Sequence, residues 1–205
     1  MKPKFFMGVA GNIGVGKTTF TEIIGNYFNL FQYYESVSDN PYIKDFYVDM
    51  KKWSFNLQIY FLSHRFQSQI DGIKNDNIII DRTIYEDREI FARNLYDLNV
   101  MSKRDWDTYS NLFNNMTRFL DKPDLLVYLR ASTDTLVSRI KNRNRDFEKD
   151  LSIEYLHRLN ILYDKWISSV SDIEIVTIDT DNFNIFNDKE MLDDIIKNLK
   201  LYVKE

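Results

Sequence analysis

The 205-residue chain contains no cysteine, which excludes disulfides and thiolate chemistry and suits a reducing, cytoplasmic setting. Its three prolines and six glycines leave no linker-like stretch, and no repeat or low-complexity segment interrupts it. The two histidines, His64 and His157, fall in helical stretches without cysteine or histidine partners, so neither a zinc site nor histidine-based catalysis is expected. No apolar run approaches the roughly 18 residues of a membrane span. The short run ahead of Gly11 leads straight into a glycine-rich loop, which makes it a core strand rather than a signal peptide. A net charge of −4 argues against a surface built to coat nucleic acid. What remains is a chain with 44% hydrophobic and 15% aromatic residues, enough for one domain with a substantial core.

Short apolar runs alternate with helical periodicity. Strands are expected at Phe5–Val9, Phe31–Glu35, Asn77–Asp81, Asp124–Leu129 and Ile173–Ile178. Helices are expected over Thr18–Asn29, about Trp53 to Ile73, much of Glu86–Leu120, and about 133–143, 152–170 and 188–203. Three successive isoleucines in NIIID fit a parallel sheet covered on both faces. The pattern implies an α/β fold, a five-stranded parallel sheet flanked by helices, with ligands at the carboxyl ends of the strands.

The stretch GNIGVGKTT, Gly11–Thr19, lies between the first strand and the first helix. Core packing asks for no such order of glycines, lysine and hydroxyls, but a polyphosphate does. Backbone N–H groups of Gly11, Asn12, Ile13, Gly14, Val15 and Gly16 can turn toward an anion, and the helix start adds its positive end. Lys17 supplies a charge for the outer phosphates; Thr18 supplies a hydroxyl for Mg²⁺, with Thr19 beside it. The match to G-x-x-x-x-G-K-[ST] in this context implies a bound nucleoside triphosphate.

Other candidates fall at strand ends. Glu35 can accept the proton of an attacking hydroxyl, where the alternative is a solvated loop residue. In DRT, Asp81 can reach the Mg²⁺ shell, and Arg82 can offset charge on a transferring phosphoryl or steady Glu35; the plainer reading is a surface ion pair. The segment RIKNRNRDFE, Arg139–Glu148, crowds four cations where many phosphotransferases carry a lid, so a lid is expected over about 139–150. A basic run is otherwise a solvated face or a nucleic-acid patch. Trp53, Gln58 and Arg65 are spaced to place polar groups among apolar neighbours on one helix, the mixture a nucleobase pocket needs.

With these motifs assembled, the chain resembles the deoxyribonucleoside kinases, and among them the bacterial deoxyadenosine kinase type. The resemblance runs through GNIGVGKTT, ESVSDNPY, YVDMKKWSFNLQIYFLSHRF, DRTIYEDREIFARNLY, and RIKNRNRDFE with the following LSIEYLHRLNILYDKW. It implies a P-loop kinase fold and transfer of the γ-phosphoryl of ATP, with Mg²⁺, to a deoxynucleoside 5′-hydroxyl. By that resemblance Glu35 is the base and Arg82 its neighbour that stabilises the transition state. Tyr47 and Glu148 resemble the pair holding the 3′-hydroxyl. Gln58, Arg65 and Asp87 resemble the groups that read the base, and Phe91 the ring packed on its face. Arg139, Arg143 and Arg145 resemble the lid arginines. The family is homodimeric, and the aromatic-rich helices between about residues 53 and 120 are the candidate interface. Two departures stand out: Asp81-Arg82-Thr83 where Glu-Arg-Ser is frequent, and Glu35-Ser36 where Glu-Pro is frequent.

The nearest rival is a thymidylate-type nucleoside monophosphate kinase. Its acceptor is an anion and needs arginines rather than a general base, and it usually carries an acid in the phosphate loop where this chain has Asn12. A regulatory P-loop switch would need Asn-Lys-x-Asp or Asp-x-x-Gly strings, and neither is present.

Overall fold

Strand β1 (Phe5–Gly11) is buried along its whole length, because it runs through the middle of a parallel sheet with neighbours on both edges. The computed structural model describes residues 5–34, 40–72, 74, 77–143 and 151–203. Around β1 stand β2 (Phe31–Tyr33), β3 (Asn77–Asp81), β4 (Leu125–Arg130) and β5 (Glu174–Asp179), in the order β2-β3-β1-β4-β5. All pairings are parallel; Val9 lies opposite Asp81, and Gly11 opposite Leu129. The register brings the β1 and β3 ends, and so the loop after Gly11 and the Asp81-Arg82 pair, to one crevice.

Alternation along the strands builds two faces. Phe5, Met7 and Val9 join Leu125, Val127 and Leu129 in a core that includes Phe20 and Ile24 of α1 (Lys17–Tyr27) and Ile195, Ile196 and Leu199 of α9 (Lys189–Leu199). On the opposite face Ala10, Leu126 and Tyr128 pack against Leu159 and Tyr163 of α8 (Ile153–Ser169). A third core lies among α2 (Ile43–Val48), α3 (Met50–Gly72), α4 (Ile84–Glu86), α5 (Arg93–Asp97) and α6 (Lys103–Thr117), with Leu62, Leu95 and Tyr109 fully enclosed. Helix α7 (Thr133–Arg143) follows β4 and buries Leu136 and Ile140.

Several boundaries differ from those expected. The stretch expected to be helical between Glu86 and Leu120 is divided: a π-helical turn spans Asp87–Ala92, and Ser102 starts α6 afresh by accepting from the Asp105 N–H. Helix α2 precedes the long helix, which itself begins at Met50. The described part of β2 ends at Tyr33, and Glu35, its expected terminus, lies outside the described residues. Helix α7 keeps the bounds expected of it, so the first part of the expected lid, residues 139–143, is helical, and 144–150 lie outside the described residues.

Candidate active site

The phosphate loop turns through two glycines in the left-handed region, Gly14 at φ +83° and Gly16 at φ +104°. Gly16 is the N-cap of α1, without a side-chain cap and with no acid in the first turn. The first N–H groups of the helix are therefore left for an anion. Lys17 folds back across the loop and donates from Nζ to the Asn12 carbonyl at 3.0 Å. The Asn12 side chain points the other way, donating to Leu156 O and Asn160 Oδ1 on α8 while accepting from Ile13 N–H. Asn12 thus fastens the loop to α8, and its side chain is not directed at a ligand.

A cavity of about 450 Å³ opens on this loop, lined there by Ile13, Gly14, Gly16, Lys17, Thr18 and Thr19. Tyr47, Gln58, Arg65, Asp87 and Phe91, the residues expected to hold a nucleoside, line the same cavity. One chamber of this size accommodates the reacting ends of two small ligands. Gly11 and Val15 are not part of its lining; the Gly11 N–H donates to Glu86 Oε1 at 3.3 Å, and Val15 lines a second cavity.

Thr18 and Asp81, the expected metal ligands, meet: Thr18 Oγ1 donates to Asp81 Oδ2 at 2.6 Å. The other oxygen, Asp81 Oδ1, is buried and has no hydrogen-bond partner among the described residues. Among the described residues no group of three or more His, Cys, Asp or Glu could cage a metal by itself. A lone hydroxyl–carboxylate pair with one orphaned oxygen fits Mg²⁺ that arrives with phosphate ligands and keeps its waters.

Arg82 follows the strand end in the left-handed region, at φ +71°, a conformation that costs a non-glycine residue about 1–2 kcal/mol. Its N–H donates to Val9 O, and its buried guanidinium lies 4.4 Å from the Phe91 ring centre. Arg82 Nη1 donates to Tyr163 OH at 2.6 Å and lies 3.5 Å from Glu86 Oε1. Glu86 and Tyr163 are absent from the sequence-based expectations. Thr83-x-x-Glu86 is a legible capping box, and the structure forms it, but that pattern predicts a helix start rather than a buried carboxylate beside an arginine.

Among the residues expected to read the base, Arg65 Nε donates to both oxygens of Asp87, at 2.7 and 2.6 Å, and Nη1 reaches Arg82 O at 3.4 Å. Asp87 opens the π-helical turn that also carries Phe91, so the wider turn sets both side chains toward the cavity. Gln58 is 3% exposed, and its amide oxygen has no hydrogen-bond partner among the described residues. Ile43, Phe46, Leu57 and Phe61 supply apolar walls that had not been singled out. Nor had Tyr155 on α8, whose phenol burial pushes up to about 12. Trp53 packs on Tyr42 and is not part of the lining.

Of the basic segment, Arg143 lines the first cavity and Arg139 lines both. The second cavity, of about 500 Å³, lies between the phosphate loop and the segment after β5, including Thr180, Asp181 and Phe183. Arg139 donates to Val15 O, Thr180 Oγ1, Thr180 O and Phe183 O. Burial lowers its pKa from the usual arginine value. Arg139, expected among the lid arginines, tethers the phosphate loop to the segment after β5 while lining the cavity on that loop. Arg145, Glu148 and Glu35 lie outside the described residues. Tyr34, directly before Glu35, has its phenol pKa raised by burial and then by the charges of Glu22 and Asp81. The residue after β2 therefore already lies within electrostatic reach of Asp81.

A model of the deoxynucleoside kinase family matches residues 7–204. The chain belongs to the deoxynucleoside kinase family. This kinase is 42% identical over 193 residues to a deoxyadenosine kinase of Dictyostelium discoideum, covering 93% of this chain and 77% of the relative. It is 38% identical over 205 residues to a deoxyguanosine kinase of Lactobacillus acidophilus, covering 94% and 90%. Its fold is similar to that of a deoxyadenosine kinase from M. mycoides with dCMP and a flexible dCDP bound, at a TM-score of 0.84 and 33% identity over 95% of this chain and 100% of that one. The kinase has, among its described residues, no helix long and apolar enough to cross a membrane.

Proposed function

We propose that this kinase phosphorylates deoxyadenosine first and deoxycytidine second, taking the γ-phosphoryl from ATP. The observation that carries this reading is the orphaned Gln58 Oε1, buried in the cavity that also holds the Arg65–Asp87 pair. An exocyclic amino group gives that oxygen the donor it lacks, while Gln58 Nε2 donates to the adjacent ring nitrogen of adenine or cytosine. Asp87, kept charged by Arg65, accepts from an amino group and opposes the carbonyl that guanine and thymine present at that edge. Phe91 supplies the flat wall. Likeness to a deoxyadenosine kinase with dCMP bound supports the same pair of bases.

In the proposed mechanism the phosphate loop and Lys17 hold the triphosphate, and Thr18 with Asp81 would hold its Mg²⁺, which supplies charge neutralisation between phosphate oxygens. Tyr47 and Glu148 bind the 3′-hydroxyl and so fix the sugar. Glu35 takes the 5′-hydroxyl proton as the oxygen attacks in line. Arg82, with Arg143 and Arg145, offsets charge on the phosphoryl in flight; Arg139 steadies the loop. We also infer a homodimer formed through the helices between α3 and α6, where Leu112 is exposed on α6 and Phe119 in the turn after it; light scattering at the mass of one chain would contradict it.

Glu35→Gln tests the mechanism. Its kcat should fall by roughly 10²-fold or more while deoxyadenosine affinity changes little. An unchanged kcat with a raised KM would remove Glu35 from the role of base.

A further inference from the structure

Glu86 is fully buried, yet its carboxylate faces donors from several elements. Oε2 accepts from Thr83 N at 2.7 Å and from Thr83 Oγ1 at 3.2 Å. The first of these is the carboxylate half of a capping box. Oε1 is turned elsewhere. It accepts from Tyr163 OH at 2.8 Å, from Gly11 N at 3.3 Å, and lies 3.5 Å from Arg82 Nη1. Tyr163 OH accepts in turn from Arg82 Nη1 at 2.6 Å, so carboxylate, phenol and guanidinium close a triangle.

A cap alone does not account for this arrangement. The helix capped here, α4, is three residues long before the π-helical turn begins, and a cap uses only one oxygen of the carboxylate. Burial of a carboxylate is costly unless it is paired and bonded on all sides. What the second oxygen joins is specific: the first residue of the phosphate loop, the arginine beside the metal-binding strand end, and a tyrosine of α8. Arg82 also holds a left-handed backbone, which persists only where its surroundings over-determine it. Glu86 contributes to that constraint through the Thr83 N–H that follows Arg82 and through the Arg82 side chain.

We propose that Glu86 is a positioning residue for phosphoryl transfer, acting with Tyr163 to aim the Arg82 guanidinium and to lock it to the phosphate loop at Gly11. Glu86 touches no substrate; its effect passes through Arg82. The inference rests on the reading of Arg82 as the cation that meets the transferring phosphoryl. Loss of the triangle should impair transfer while leaving the nucleoside pocket, built on Gln58, Arg65 and Asp87, able to bind.

The experiment uses the full chain, ATP with Mg²⁺, and whichever of the four deoxynucleosides the wild type phosphorylates fastest. A wrong assignment of base preference therefore leaves it standing. Glu86→Gln and Tyr163→Phe are compared with wild type for kcat, and for nucleoside Kd by calorimetry. Glu86→Gln replaces one acceptor by a donor that opposes a neighbouring N–H, and Tyr163→Phe removes only the bridging oxygen. Expected is a fall in kcat of ~10-fold or more for Glu86→Gln and a smaller fall for Tyr163→Phe, with nucleoside Kd held within ~3-fold of wild type in both. The double variant should lose less than the product of the two single losses, because both break one triangle. Unchanged kcat in either variant would overturn the proposal. So would kcat and nucleoside affinity falling together, or single effects that simply multiply. If Glu86→Gln shows no cooperative melting, Tyr163→Phe decides alone by the same split.

Discussion

Arg65 presents one N–H, Nε, to both carboxylate oxygens of Asp87, and the two side chains are 8% and 2% exposed. Removing one member of a buried pair strands the other charge at a cost of about 3–5 kcal/mol, whereas removing both together costs far less. Asp87→Ala alone should therefore lose stability on that scale by urea denaturation. Arg65→Met with Asp87→Ala should recover much of it and admit thymidine. A double variant that still rejects thymidine would take base choice away from this pair.

The Thr18–Asp81 contact predicts a metal effect. Asp81→Asn keeps the shape but removes the charge, and should raise the Mg²⁺ concentration needed for half-maximal rate by roughly tenfold or more, since loss of even a supporting group around a metal typically costs about 10–100-fold in affinity. Titration of initial rate against free Mg²⁺ checks it; an unchanged midpoint would place the metal elsewhere.

Two glycines of one loop should respond differently to alanine. A Cβ on Gly16 meets nothing within 4 Å, so Gly16→Ala carries only the left-handed backbone cost of about 1–2 kcal/mol. At roughly 2–4 °C per kcal/mol for a chain of this size, Tm should drop by a few degrees. On Gly14 the Cβ also comes within 2.7 Å of Ile140, so Gly14→Ala should melt lower still. Equal melting temperatures would contradict the geometry.

Arg139 joins the Val15 carbonyl to Thr180 and Phe183 across the second cavity. Arg139→Gln should raise the KM for ATP several-fold and leave deoxynucleoside Kd unchanged, because the acceptors it holds lie on the phosphate loop and after β5. Equal losses for both ligands would show that the tether serves the fold rather than the donor side.

Where the sequence carries a strong local signal, fold and site were legible. Strand β3 spans Asn77–Asp81 as NIIID implies, since three isoleucines buried on both faces leave little freedom of boundary. Thr18 and Asp81 meet as expected, because a loop motif and a strand end in adjacent parallel strands cannot avoid each other. Gln58, Arg65, Asp87 and Phe91 share one cavity. What stayed hidden depends on contacts distant in sequence. Asn12 looks like a ligand-facing loop residue until α8 supplies Leu156 O and Asn160 Oδ1. Glu86 reads as a cap, and only Tyr163, 77 residues away, shows what its other oxygen holds. Arg139 reads as one cation among four, and its acceptors after β5 lie more than 40 residues on. The Ser102 restart of α6 was readable in Ser-x-x-Asp but was masked by helical periodicity on both sides.

The most direct test is the relative kcat/KM of the wild-type kinase for deoxyadenosine, deoxycytidine, deoxyguanosine and thymidine at saturating ATP and Mg²⁺. A carbonyl set against the buried carboxylate of Asp87 should cost several kcal/mol, so deoxyadenosine should lead, deoxycytidine follow, and thymidine fall roughly 10²-fold or more behind. Thymidine used as efficiently as deoxyadenosine, or deoxyguanosine preferred to it, would contradict the reading of the pocket.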